Sequence, residues 1–346
     1  MRGLAQFVMG GRYRALLVAM ASSGSLLFGW IGAAVVGLVT LRRGYAEGFQ
    51  LLLWALLPAL LATQLTGDSS QLALLLGTGA LAMLLRATVS LSLAALGSAA
   101  VALLTGLGLL LFGESLLAEL ARLFEEFFNA VAEQARQSGS DRVRLQPPTQ
   151  LQLAGMMGTA NGALSFLCLA LARYWQAALY NPGGFGAEFR QLRFPPALVG
   201  AIALAALGIA ALGLSYRSWA AALLLPLTVA GFALLHARAR QRGQSRFWLG
   251  GLYVAWVVFD AVKLALLALV AVDALVDFRR RWGLPPAGGT AEPGDSDAGQ
   301  DGPAERGGDG AGEGDPEDRG GGGAGQDDAG PPGGRDDERD PGDRDH

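Results

Sequence analysis

Residues 88–113, TVSLSLAALGSAAVALLTGLGLLLFG, run for 26 positions without one charged side chain. A bilayer's hydrocarbon core is about 30 Å thick and takes roughly 20 apolar residues to cross as a helix. Spanning helices keep each backbone amide and carbonyl paired where water is absent, so an apolar run of this length reads as a transmembrane helix. Arg86 stands just before the run. Working outward, the same alternation of apolar block and arginine recurs through residue 282. The blocks are 15–41, 48–66, 71–85, 88–113, 151–172, 196–215, 219–236 and 247–277. The expected fold is therefore all-α, a polytopic helical membrane bundle of about eight apolar segments.

Six blocks fit one crossing each, whereas the first and last are too long. At about 1.5 Å rise per residue, the 31 residues of 247–277 would make a rod of roughly 46 Å. Arginine placement resolves the misfit, because basic residues collect in cytoplasmic loops. Treating 15–41 and 247–277 as helical hairpins puts Arg42, Arg43, Arg86, Arg173, Arg190, Arg193, Arg238, Arg240, Arg242, Arg246 and Arg279 to Arg281 on one side. Both chain termini then lie in the cytosol, and the expected location is a bacterial cytoplasmic membrane. The loop 114–150 falls on the outer side. Leu116, Leu120, Leu123, Phe124, Phe127, Phe128 and Val131 recur in it at helical spacing, opposite Glu119, Arg122, Glu125, Glu126 and Glu133. Such an amphipathic helix either caps the bundle or lies on the membrane surface.

Residues 1–282 hold 22 Lys+Arg against 12 Asp+Glu, a net of +10; residues 283–346 hold 5 against 18, a net of −13, which together give the chain's −3. With 20 of the 50 glycines and few large apolar side chains, the acidic Gly/Asp/Pro-rich stretch 283–346 cannot offset its ordering entropy and is expected to be a disordered tail. Cys168 is the only cysteine, His236 and His346 are the only histidines, and Lys263 is the only lysine. Internal disulfides and cysteine-built metal sites are thereby excluded. Lys263 follows no glycine-rich turn, so there is no phosphate-binding loop of the Walker type. No cofactor, metal or nucleic-acid partner is expected, and no nucleophile–base pair suggests an enzyme.

The residues that carry polar chemistry within the apolar blocks are few. Asp260 and Lys263, three apart in the last block, fall on one helical face and form either the polar floor of a solute site or a mutually neutralised pair at a hairpin tip. Asp273 lies deeper than Asp277, which sits beside the arginines 279–281. In 151–172, Gly155, Gly158, Gly162 and Ser165 make a small-residue stripe suited to close helix packing. Asn161 lies within the same helix and needs a partner for its amide. Ala201, Ala205 and Gly208 suggest a second tight contact. The stretch YNPGGFGAEFRQLRFPP, 180–196, opens with the turn residues Asn181, Pro182, Gly183 and Gly184. Phe185, Phe189 and Leu192 then share one face of a short helix whose other side carries Glu188, Arg190 and Arg193. The cytoplasmic elbow 173–195 reads either as a plain connection or as a docking site for a partner.

That elbow, together with Leu41-Arg42-Arg43-Gly44 and the stretch Val272 to Arg280 (VDALVDFRR), resembles the YybS-like family of uncharacterised bacterial membrane proteins. The resemblance covers roughly 10–282. The family tends to have glycine two residues before the aspartate of the last motif, where Ala271 stands here. The family is distantly similar to the substrate-binding S components of energy-coupling-factor transporters. Those are helical bundles that bind a solute and dock a partner through alanines four apart on the first helix, a spacing that Ala15 and Ala19 match. The resemblance implies a solute-binding, transport-associated module. Its site residues would be Asp260, Lys263, Asp273 and Asn161, and its partner another membrane protein or a cytoplasmic ATPase module. The alternative is a non-catalytic structural or assembly protein of the cell envelope.

Overall fold

The computed structural model describes residues 2–25, 27–137, 146–244 and 246–282; the tail 283–346 lies outside the described residues. Every regular element is helical. The first block folds back on itself: α2 (Arg12–Ser23) and α3 (Gly29–Arg43) break between Gly24 and Phe28, and Gly32 approaches Ser22 and Ser23. A short α1 (Arg2–Met9) precedes the hairpin. Ser22 and Ser23 give their hydroxyls to carbonyls one turn back, Val18 and Ala19, so neither is left unpaired beside the turn.

Three single crossings follow as α4 (Tyr45–Thr66), α5 (Ser70–Thr88) and α6 (Leu91–Phe112). Then come α7 (Glu114–Gln137) and α8 (Gln150–Tyr180). A capping box opens α8: Gln152 N–H donates to the Thr149 hydroxyl (3.3 Å), and Thr149 N–H donates to the Gln152 side chain (2.8 Å). At 31 residues α8 extends roughly 46 Å. It therefore runs past its apolar block, and Arg173, Trp175 and Gln176 continue the helix. The elbow helix α9 (Gly184–Gln191) begins after Gly183, whose φ of +85° is a left-handed conformation that glycine adopts without strain. Pro196 starts α10 (Pro196–Ala211), which meets α9 at 71°.

A 3-10 turn leads into α11 (Arg217–Gln241). The last block is α12 (Arg246–Val258) and α13 (Asp260–Val276), bent by 113° at Phe259, and α14 (Phe278–Arg281) closes the described chain. Trp282 returns to α11: Arg238 sits over its indole at 4.6 Å, and Gln241 donates to its carbonyl at 2.9 Å. The last block thus ends on the side where it began.

Among the described residues five helices are long and apolar enough to cross a membrane, and up to seven segments qualify if each bent pair is one span. Leu57, Leu61, Leu104, Leu111, Leu204 and Leu207 face outward, as on helices solvated by lipid. The protein is a multi-pass helical membrane protein. Its tightest seam joins α6 and α8. A Cβ on Gly162 would stand 2.5 Å from the Ser98 carbonyl and 2.6 Å from Ala102 Cβ, and one on Gly158 would meet the Ala102 carbonyl and the backbone of Gly106. The small-residue stripe is what lets these helices touch. The other expected stripe does not pack. Ala201, Ala205 and Gly208 face outward, and α10 buries Val199 and Ala206 instead, because its neighbours α11 and α13 lie on that side.

Arginines tie one end of the bundle together. Arg86 donates to the Leu41 carbonyl (2.7 Å) and the Thr40 carbonyl (3.2 Å), in the last turn of α3. Arg43 donates to Met9 at the end of α1 (2.9 Å), and Arg279 to Leu192 at the end of α9 (2.8 Å). The last carbonyls of a helix have no partner within it. A guanidinium from another helix supplies one and neutralises the negative helix end.

Away from that end, α7 docks through Leu116, Leu117, Leu120 and Ala121 against Leu109, Leu153 and Ala154. Phe124 and Phe127, further along, are exposed. Its polar face carries an Arg122 fork to Glu119 (2.6 Å) and Glu126 (2.7 Å). Arg122 holds the Glu119 carboxyl below the usual carboxylate range.

Candidate functional site

The four expected solute-binding residues fall in three separate places. Asp260 and Lys263 form an ion pair of 2.7 Å at the start of α13, with the Asp260 side chain 90% exposed. Lys263 also stands 5.9 Å from the Trp256 ring centroid. Asn161 donates to the Thr105 hydroxyl at 2.9 Å and lines a groove of about 490 Å³ between α5, α6 and α8, whose mouth is Ser69 and Ser70. Asp273 is paired with Arg279 at 3.0 Å, both side chains at most 10% exposed. It also accepts from the Phe278 N–H at 3.0 Å. Next to this pair, Arg193 bonds Asp277 at 2.9 Å. Burial opposes the charge on Asp277, but the Arg280 N–H and the Arg193 guanidinium outweigh it and leave its pKa below the ordinary value.

The expected docking residues also divide. Ala15 and Ala19 are buried within the hairpin, and the Ala19 carbonyl would be only 3.1 Å from a Cβ on Gly32. They pack this chain's own helices. Asn181, Pro182 and Gly183 are exposed, and Gly184 is half-buried. Gly184 donates back to the Asn181 carbonyl at 3.0 Å, closing the tight turn. Phe185, Phe189 and Arg190 turn inward, toward a cavity of about 500 Å³ bounded by α8, α9, α11 and α12.

That cavity has the most developed geometry in the described chain. Its wall at the arginine end is aromatic: Phe185 and Phe189 stack at 5.9 Å, and Phe189 meets His236 edge-on at 5.4 Å. Further around, Phe232 stacks on Tyr253 at 4.7 Å and meets Trp256 at 5.3 Å. Helical spacing builds this wall, with Phe232 and His236 one turn apart on α11 and Tyr253 and Trp256 one turn apart on α12. His236 Nδ1 lies 2.8 Å from the Phe232 carbonyl, which can only accept, so Nδ1 carries the proton. Nε2 then accepts from the Tyr253 hydroxyl at 3.4 Å. The deeper wall is apolar in effect. The Ser98 and Thr228 hydroxyls bond carbonyls of their own helices, Ala95 at 2.6 Å and Leu224 at 3.0 Å.

Arg190 lines the cavity from the elbow helix α9. Among the described residues no carboxylate pairs with it. The nearest acid in its own helix, Glu188, is engaged by Arg173 at 2.8 Å.

His236, Tyr253, Phe232 and Trp256 were not among the sequence candidates. The signal that could have found them is the pair of one-turn aromatic spacings, Phe232 to His236 and Tyr253 to Trp256. Among the described residues no three His, Cys, Asp or Glu side chains converge to hold a metal ion. No protein-family model matches this chain, and no curated protein or solved structure matches it either.

Proposed function

We propose that this protein is a non-catalytic, ligand-binding membrane module whose site is the aromatic cavity between α8, α9, α11 and α12. One observation carries the reading. Apart from the Ser98 and Thr228 hydroxyls, a half-open, mostly apolar space of about 500 Å³ has its few polar groups, Arg190, His236 and Tyr253, gathered at one end. Ligand sites combine an apolar lining with a small number of placed polar groups in this way. The resemblance to the YybS-like family and to S components of energy-coupling-factor transporters agrees with it, and so does a transport-associated role beside an ATPase partner. The exposed turn Asn181 to Gly183 is the surface such a partner would meet in the cytosol. The arginine-tied end faces the cytosol on this reading, following the charge rule for membrane loops.

The test is to purify the full chain from native membranes in a mild maltoside detergent, denature it, and identify what it releases. Wild-type protein should release one compound in near-stoichiometric amount. Ala170→Phe, which fills the cavity, should release none while keeping its thermal midpoint. Recovering only bulk lipid and detergent, equally from both proteins, would sink the proposal in favour of an envelope assembly role exercised through contacts alone.

A further inference from the structure

The chemical class of the ligand follows from how charge and apolar surface are distributed along the cavity, taking the site proposed above as its basis. Along α11 the lining runs from Leu225 to His236, about 16 Å at about 1.5 Å per residue. The cavity is therefore elongated along the bundle. At its inner end it meets Leu225, Val229 and Ala163, with the two hydroxyls already satisfied; at its outer end, beside Phe189 and His236, stands Arg190. A half-buried guanidinium with no carboxylate partner among the described residues is electrostatically incomplete. The positions of these groups reproduce the polarity of one bilayer leaflet, with a charged boundary layer above and hydrocarbon below.

We propose that the cavity holds one chain of an anionic bilayer lipid, with the acidic headgroup on Arg190. Planar guanidinium donors suit a phosphate's oxygens. The aromatic wall made by Phe189, Phe232 and Trp256 packs along the acyl chain. A water-soluble solute would leave most of the inner wall uncovered, which disfavours it on the same geometry.

The full-length protein, delipidated in maltoside micelles, should be titrated with dioleoyl phosphatidylglycerol, dioleoyl phosphatidylcholine and glycerol 3-phosphate, with retained molecules counted by native mass spectrometry. Phosphatidylglycerol should be retained as a single saturable copy, at least tenfold more tightly than phosphatidylcholine, and glycerol 3-phosphate should not be retained. Arg190→Gln should bring the two lipids level, and Ala170→Phe should lose both.

Equal retention of the two lipids by wild type, abolished by Ala170→Phe, would overturn the headgroup assignment while leaving the cavity a binding site. Glycerol 3-phosphate binding as well as the lipid would overturn the role of the acyl chain. A released native compound without an acidic group would refute the lipid class and keep the ligand-binding reading. Retention unaffected by Ala170→Phe would show annular lipid only and refute the site.

Discussion

Along one side of α8 the neighbouring helix comes close enough to touch backbone; along another it is held away. Toward α6, Gly158 and Gly162 admit the carbonyls of Ala102 and Ser98 directly against the helix. Toward α11 and α12, beyond the contact where Trp219 donates to the Leu151 carbonyl at 3.0 Å, Phe189, Phe232 and His236 stand between the helices and leave about 500 Å³. Both regions lie in the same apolar bundle. In lipid, closing a gap between helices gains little from the hydrophobic effect, so side-chain size sets the spacing. Small residues at one seam produce adhesion, and rings at the other hold open a space that an apolar ligand can fill. Rigidity and binding are thus assigned to adjacent faces of a single helix.

The sharpest way to break this contrast is Gly162→Leu. Its Cβ alone would come 2.5 Å from a backbone carbonyl, which cannot yield as a flexible side chain can. We expect a loss above the ~3 kcal/mol that marks the upper end of ordinary overpacking. Equilibrium unfolding in mixed sodium dodecyl sulfate micelles reads it. Asn161→Leu asks whether the same seam depends on its one side-chain hydrogen bond, Asn161 to Thr105 at 2.9 Å. Interhelical hydrogen bonds in membranes contribute roughly 0.6–1.7 kcal/mol, and the same unfolding assay should fall in that range.

On the open side, Ala170→Phe should change stability by less than about 1 kcal/mol, since it fills space and does not force backbones apart. A loss as large as that of Gly162→Leu would mean that the cavity wall is packed as tightly as the seam. Asp260→Asn should do least. Its carboxylate is almost wholly exposed, and exposed ion pairs contribute little to stability. The unfolding midpoint and the compound released on denaturation should both match wild type.

The two regions were not equally legible in the sequence. Crossing segments announce themselves, because bilayer thickness fixes their length whatever else they touch. The glycine stripe of 155–162 was readable too, since its spacing lies within one helix. Both hairpins followed from apolar blocks too long for one rod with arginines at each end. The cavity is different in kind. Its wall combines Phe185 and Phe189 with Phe232, His236, Tyr253 and Trp256, drawn from three helices and joined only by the fold. In one dimension Tyr253 and Trp256 look like any aromatic residues of a lipid-exposed helix. Asp260 and Lys263 illustrate the reverse. Their mutual contact was readable from a spacing of three, but their exposure depends on nothing having packed over the bend at Phe259.

The arginine ties at the helix ends carry a consequence for how the chain is made. Each tie reaches across a long stretch of polypeptide: Arg86 closes α3 from 45 residues downstream, and Arg279 closes α9 from 87. A ribosome adding about 5–20 residues per second delivers the second of these roughly 4–17 s after the carbonyl it caps. Until then the nascent elbow sits at the bilayer surface with its final carbonyl open. A transcript ending before codon 279 would therefore yield a protein with every long crossing helix inserted and the end of α9 untied.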